Sequence, residues 1–172
     1  MKKIILLLLA VLLCLSGCGK NLDHIPSLKL IRENDIQWAR EKLEGYTSQN
    51  LREIWQEPTA LPGVDGEAWQ LPGEGDYLVV SYENGKAAEV RFVSVMTATI
   101  LETDGQAILV EPVEGEWELR SSDRISVGIS ELSQETRTAL EAGITVRIYY
   151  DGMIRETYPA QAGDAFGIEI CE

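Results

Sequence analysis

After Met1 the chain has two lysines and then twelve consecutive apolar residues, positions 4 to 15, before polarity returns. A helix that crosses a bilayer needs roughly 20 apolar residues. A positive start with a shorter apolar run has the form of a signal peptide, here residues 1 to 17. From position 18 to about 33 the chain is polar, with one proline and no regular period, and this reads as a tether. As a flexible chain of about 15 residues it would span on the order of 20 Å. A helical period begins near Asn34, which can cap the helix with Gln37 three positions on. Ile36, Ala39 and Leu43 recur as its buried stripe, and Gly45 ends it. Trp38 falls on nearly the opposite side, where it is either covered by another part of the body or presented to a partner. Thr47 or Ser48 caps a second helix with Leu51, Ile54 and Trp55 on one face, and Pro58 closes it.

The period then changes from helical to alternating. Positions 68 to 71 read as a short strand and Pro72-Gly73 as a turn. Positions 77 to 82 and 86 to 93 read as strands around Asn84-Gly85, a pair suited to a hairpin because both turn residues take positive φ. Residues 34 to 95 therefore form an ααβββ module. Beyond it, strands are expected at 97 to 103 and 106 to 113 around Asp104-Gly105, then a longer strand region at 117 to 129. A short helix at 133 to 142, strands at 144 to 150 and 153 to 158 around Asp151-Gly152, and a last strand at 167 to 170 follow. That order describes a small OB-type barrel over residues 96 to 172. The expected fold class is α+β: a helical hairpin packed on a small antiparallel sheet, followed by a small OB-like antiparallel β-barrel with one short helix. The apolar stretch 93 to 96 between the modules reads equally as a continuous strand or a hinge.

Three stretches carry resemblances. Leu15-Ser16-Gly17-Cys18 resembles the lipobox of bacterial lipoproteins, which implies cleavage before Cys18 and lipid on its sulfur; Cys14, preceded by bulky Leu13, does not fit the cut. Two or more acyl chains hold a protein stably on a membrane, each buried methylene adding about 0.8 kcal/mol. The lipobox thus implies an extracytoplasmic protein anchored to the membrane through Cys18. Thr47, Leu51, Ile54, Trp55, Glu57-Pro58, Trp69 and the Asn84-Gly85 hairpin resemble the small lipoprotein of the outer-membrane β-barrel assembly machine (the SmpA/OmlA type). The same unit is similar to the repeats of β-lactamase inhibitory proteins. Tyr150-Asp151-Gly152-Met153-Ile154, with Glu156-Thr157-Tyr158-Pro159-Ala160-Gln161, resembles a C-terminal motif of uncharacterised Gram-positive lipoproteins of the YobA type. The first of these module resemblances implies an assembly or binding role, and the second implies compartment and fold without chemistry.

Charge narrows the partners. The full chain carries a formal −13; residues 1 to 17 hold two of its 15 basic and none of its 28 acidic residues, leaving a mature chain at −15. Such a surface repels nucleic acid and anionic lipid and favours cationic partners, metal ions or plain solubility. Once Cys14 is removed and Cys18 acylated, Cys171 is the one thiol left, so no internal disulfide is expected.

The chemistry-bearing residues are sparse. The sole histidine, His24, lies in the expected tether, so neither a Ser-His-Asp or Cys-His arrangement nor a histidine–cysteine zinc site is expected on the body. Gly73-Glu74-Gly75 lacks the third glycine and following helix of a dinucleotide fingerprint, and no Walker lysine loop is present. No catalytic residue, metal ligand or cofactor is therefore expected. Glu111, Glu114, Glu116 and Glu118 crowd around a turn, where they offer oxygen ligands for calcium, a carboxylate pair for glycoside cleavage, or simply a solvated acidic loop. The expected function is a non-catalytic binding or assembly module for a protein or cell-envelope component, held to the membrane through lipid on Cys18, with Trp38 as the candidate partner-binding residue. The alternative is a carboxylate-dependent hydrolase of envelope glycans.

Overall fold

Helix starts in this chain are set by short polar side chains that satisfy otherwise orphaned backbone N–H groups. The structure, a computed structural model, describes residues 21–73 and 75–171; the lipidation residue Cys18 and the expected signal peptide lie outside the described residues. Three helices come first, α1 (Leu28–Arg32), α2 (Ile36–Leu43) and α3 (Ser48–Trp55). Ser27 caps α1, and Asp35, one residue beyond the expected Asn34, caps α2 by accepting the Trp38 N–H at 2.8 Å. Thr47 and Asn50 form a reciprocal capping box at the start of α3. Thr47→Ala is expected to cost about 1 kcal/mol of stability in urea unfolding, the usual loss for an N-cap hydroxyl.

Part of the expected tether is in fact folded. Residues 21–33 form a short 3₁₀ turn and α1, and Ile25 and Ile31 are buried in the same core as Leu43, Leu51 and Trp55. The Tyr46 hydroxyl donates to the Asn21 carbonyl (3.0 Å), and the Trp55 indole N–H donates to the Pro26 carbonyl (2.9 Å). Leu22, Ile25, Leu28 and Ile31 recur every third residue, a spacing too short-lived to stand out as a period yet sufficient to lay one apolar edge on the body. An isolated five-residue helix is not stable by itself; burial holds this one.

The strands are β1 (Glu67–Gln70), β2 (Asp76–Glu83), β3 (Lys86–Thr103), β4 (Ala107–Pro112), β5 (Ile125–Gly128), β6 (Thr145–Tyr150), β7 (Ile154–Arg155), β8 (Ala160–Asp164) and β9 (Gly167–Ile170), with one further helix, α4 (Gln134–Ala139), before β6. They make one mixed, antiparallel-rich sheet in the order β1-β2-β3-β4-β5-β8-β7, with β6 also on β3 and β9 on β6. Only β5 and β8 run parallel among these pairs. The β2–β3 turn uses positive φ at Asn84 and Gly85 (51° and 74°), as the hairpin reading requires.

The class is α+β, as the sequence implies. The second half, however, is a curled open sheet: β7 and β9 do not pair with each other among the described residues, so the strands do not close into a barrel there. β3 runs unbroken through the 95/96 boundary, so both modules share it. One face of its first half carries Val90, which packs with α1–α3 and Trp69; the same face continues as Met96, Ala98 and Ile100 into the core of the curled half. A third cluster, with Val79, Val93 and Tyr149, occupies the opposite face.

Two expected strands are shorter than read. In the stretch 117 to 129 only β5 is a strand, because Trp117–Arg120 turns as a 3₁₀ helix with Glu118 inward and Trp117 and Leu119 outward, the reverse of an ordinary half-buried strand. In the stretch 153 to 158 local bonds compete with the ladder: Asp151 accepts the Met153 N–H, and the Thr157 hydroxyl donates to the Pro159 carbonyl. Among the described residues no helix is long and apolar enough to cross a membrane.

Candidate binding site

The site arises from an interruption on one edge of β3. Ser94 is paired both to Asp76 of β2 and to Tyr150 of β6, and Ala98 both to Pro112 of β4 and to Val146 of β6. β2 and β4 therefore lie end to end along the same edge of β3, opposite β6, with residues 95–97 between them. The chain following β4 enters that gap. Val113 donates its N–H to the Thr97 carbonyl (3.0 Å), and the Thr97 N–H donates to the Glu116 carboxylate (3.0 Å), so side chain and loop replace the missing ladder bonds.

Trp117 stands in this gap, 41% exposed, and lines an open cleft on each side. One cleft, about 360 Å³, is bounded by Arg32, Asp76, Phe92, Trp117, Asp151 and Met153. The other, about 500 Å³, is bounded by Tyr77, Val95, Glu116, Trp117, Arg147 and Tyr149. In the first cleft the Ser94 hydroxyl donates to Asp76 (2.7 Å), and the Arg32 guanidinium lies 4.0 Å from the same carboxylate. Met153, 69% exposed, stands beside it. Gly152 is required here: its φ is 77°, and a Cβ would come within 2.5 Å of the Ser94 hydroxyl. In the second cleft Arg147 pairs with Glu169 at 3.0 Å, and the Tyr149 hydroxyl also donates to Glu169.

The neighbour of Trp117 in sequence points the other way. Glu118 is fully buried, and one of its oxygens accepts the hydroxyl of equally buried Tyr150 at 2.7 Å; the other has no hydrogen-bond partner among the described residues. Burial pushes the Glu118 carboxyl above the ordinary carboxylate range; the Tyr150 bond opposes this, and the charges of Glu116 and Asp76 add to the rise. Burial and the same bond raise the Tyr150 phenol. Glu118 thus ties the 3₁₀ turn to β6 from beneath, and its neighbour Trp117 faces outward.

The residues singled out from sequence are dispersed. Trp38 is half-buried against the helical core, with the Lys42 ammonium 5.8 Å from its ring centroid. The four glutamates do not form a cluster with one environment: Glu111 and Glu114 are exposed, Glu116 is bonded to the Thr97 N–H, and Glu118 is interior. His24 is exposed on the folded segment 21–33. Cys171 is half-buried without a disulfide partner among the described residues. Trp117 falls within the strand region expected at 117 to 129; its one local signal as a site residue is that it follows the Glu114-Gly115 turn with an inverted alternation of apolar and charged neighbours.

No protein-family model matches the chain, and no curated protein matches it. Among solved structures, a yobA protein from Bacillus subtilis is similar at 13% sequence identity, with a TM-score of 0.35 over 46% of this chain and 95% of that one.

Proposed function

We propose that this chain is a lipid-anchored extracytoplasmic protein that binds a protein or cell-envelope component at the Trp117 gap and does not transform it. The observation that supports this reading is an aromatic side chain facing outward between two open clefts, with a buried hydrogen bond behind it. A tryptophan offers large contact area at little entropic cost and is a common anchor of interfaces. Asp76 and Asp151 beside it, on a chain of formal charge −13, favour a ligand that brings an aromatic or apolar group with basic groups around it. The curled half-sheet is in this reading an open variant of the OB-type scaffold, whose ligands sit on a strand face.

Affinity capture from the protein's own solubilised membranes tests the reading. Trp117→Ala is expected to weaken recovery of the captured component roughly tenfold, about 1.4 kcal/mol, while leaving the unfolding midpoint unchanged. Equal recovery by wild type and variant would overturn the assignment of the site.

The hydrolase reading has one observation in its favour, the raised affinity of Glu118 for its proton, the property of a general acid. Burial closes Glu118 to any substrate in this conformation, and binding is therefore preferred. Turnover of envelope glycan by wild type that vanishes in Glu118→Gln would reverse that preference.

A further inference from the structure

The folding of residues 21–33 onto the body changes how the anchored protein must stand. Only Gly19 and Lys20 separate Cys18 from Asn21, whose carbonyl is held by the Tyr46 hydroxyl at 3.0 Å. Three residue steps reach about 10 Å even at full extension, at roughly 3.3–3.6 Å each. The headgroup layer on one side of a bilayer is itself about 5 Å or more thick. A lipid chain on Cys18 would therefore bring Asn21 to the level of the headgroups.

Asn21 shares one open hollow, about 570 Å³, with Ile25, Leu30, Trp38, Lys42 and Tyr46. Leu30 is 43% exposed and Trp38 only partly buried, so this hollow carries apolar surface that the body does not cover fully. Tryptophan favours the bilayer interface, where its apolar ring and polar N–H are both satisfied. A lysine can lay its stem along that surface and keep its ammonium at headgroup level, and Lys42 is already placed over the Trp38 ring. The charged side chains around the hollow, Asp23 and Glu41 against Lys42, leave one net negative charge, which a zwitterionic headgroup layer tolerates.

We propose that the face around Leu30 and Trp38 rests on the bilayer headgroups, so that the protein stands in one fixed orientation on the membrane. This rests on the acylation of Cys18 proposed above. It also gives Trp38 a lipid contact in place of a protein partner, and leaves partner recognition to Trp117.

Fluorescence quenching tests it with the full-length, lipidated protein in phosphatidylcholine vesicles whose acyl chains carry bromine close to the headgroup. Mass spectrometry of the anchor peptide first establishes whether Cys18 is acylated. Tryptophan emission of the wild type is expected to be quenched, and this quenching to be lost in Trp38→Phe, a substitution that keeps an aromatic ring against the core. Adding Leu30→Trp to that variant moves the reporter along the same face and is expected to restore the quenching. Acylated protein whose quenching is the same with and without Trp38→Phe would overturn the seated face while leaving the anchor in place. A peptide without lipid on Cys18 would overturn the anchor and the seated face together.

Discussion

Ile31→Ala is expected to lower the unfolding free energy by about 2–5 kcal/mol, the cost of deleting most of a buried aliphatic side chain and leaving a cavity. Ile31 is fully buried in the helical core with Ile25, Leu43, Leu51 and Trp55, although it sits in a stretch whose polar, aperiodic character reads as a tether. The neighbouring Leu30→Ala, on the exposed side of the same short helix, is expected to change stability by no more than about 0.5 kcal/mol. Urea unfolding of the two variants measures the contrast. Equal midpoints for Ile31→Ala and wild type would mean that residues 21–33 do not dock, and the fixed orientation on the membrane would fall with them.

Tyr150→Phe is expected to cost about 2 kcal/mol near neutral pH, because it takes away the hydrogen-bond partner of a buried carboxyl. The pH dependence separates this from simple repacking. Glu118 has a raised proton affinity in the folded protein, so between its ordinary value of about 4.3 and its folded value the folded state holds more protons than the unfolded one. Stability then falls as pH rises through that window, and the contribution is most favourable in acid. Removing the Tyr150 hydroxyl leaves the charged form less supported than the neutral one, so the loss should be larger at pH 7 than at pH 4. Glu118→Gln keeps the shape and removes the charge; it should flatten the wild-type slope and reduce the cost of Tyr150→Phe. Unfolding curves for the four combinations across pH measure this, and parallel slopes for all four would show that Glu118 does not titrate in the window. Because Glu118 precedes Leu119 and follows Trp117 on one 3₁₀ turn, the same variants also test whether the buried bond holds the binding tryptophan outward.

Features set by near neighbours in the chain were legible from the residues. The cap at Thr47, the positive φ at Asn84-Gly85 and the turn at Asp104-Gly105 are all decided within four positions, and the structure adds the bonds that fix them, Asn50 to Thr47 and the Gln106 and Ala107 N–H groups to the Asp104 carboxylate. The elements that depart from the local pattern depend on partners far along the chain. The every-third-residue apolar edge of 21–33 becomes structure only because α2, α3 and Trp55 lie beneath it. β8, with its two alanines and glycine, has little intrinsic strand preference and is a strand because β5 and β7 flank it.

The sequence by itself determined the cap at Thr47, the hairpin turns at Asn84-Gly85 and Asp104-Gly105, the α+β class and the excess of acidic residues, since each follows from local bonding or from counting charges; the turn at Asp151-Gly152 makes no hairpin, because among the described residues β7 pairs with β8 and not with β6. Tertiary structure alone decided that β3 would carry β2 and β4 end to end on one edge, that Glu118 would face Tyr150 across 32 positions, and that Trp117 would be left standing between two clefts. The reason is that an alternating pattern assigns the apolar side to the interior, whereas on this 3₁₀ turn the charged residue goes inside and its apolar neighbours face out. That choice is made when a distant side chain, here a tyrosine hydroxyl, offers a buried carboxyl its partner.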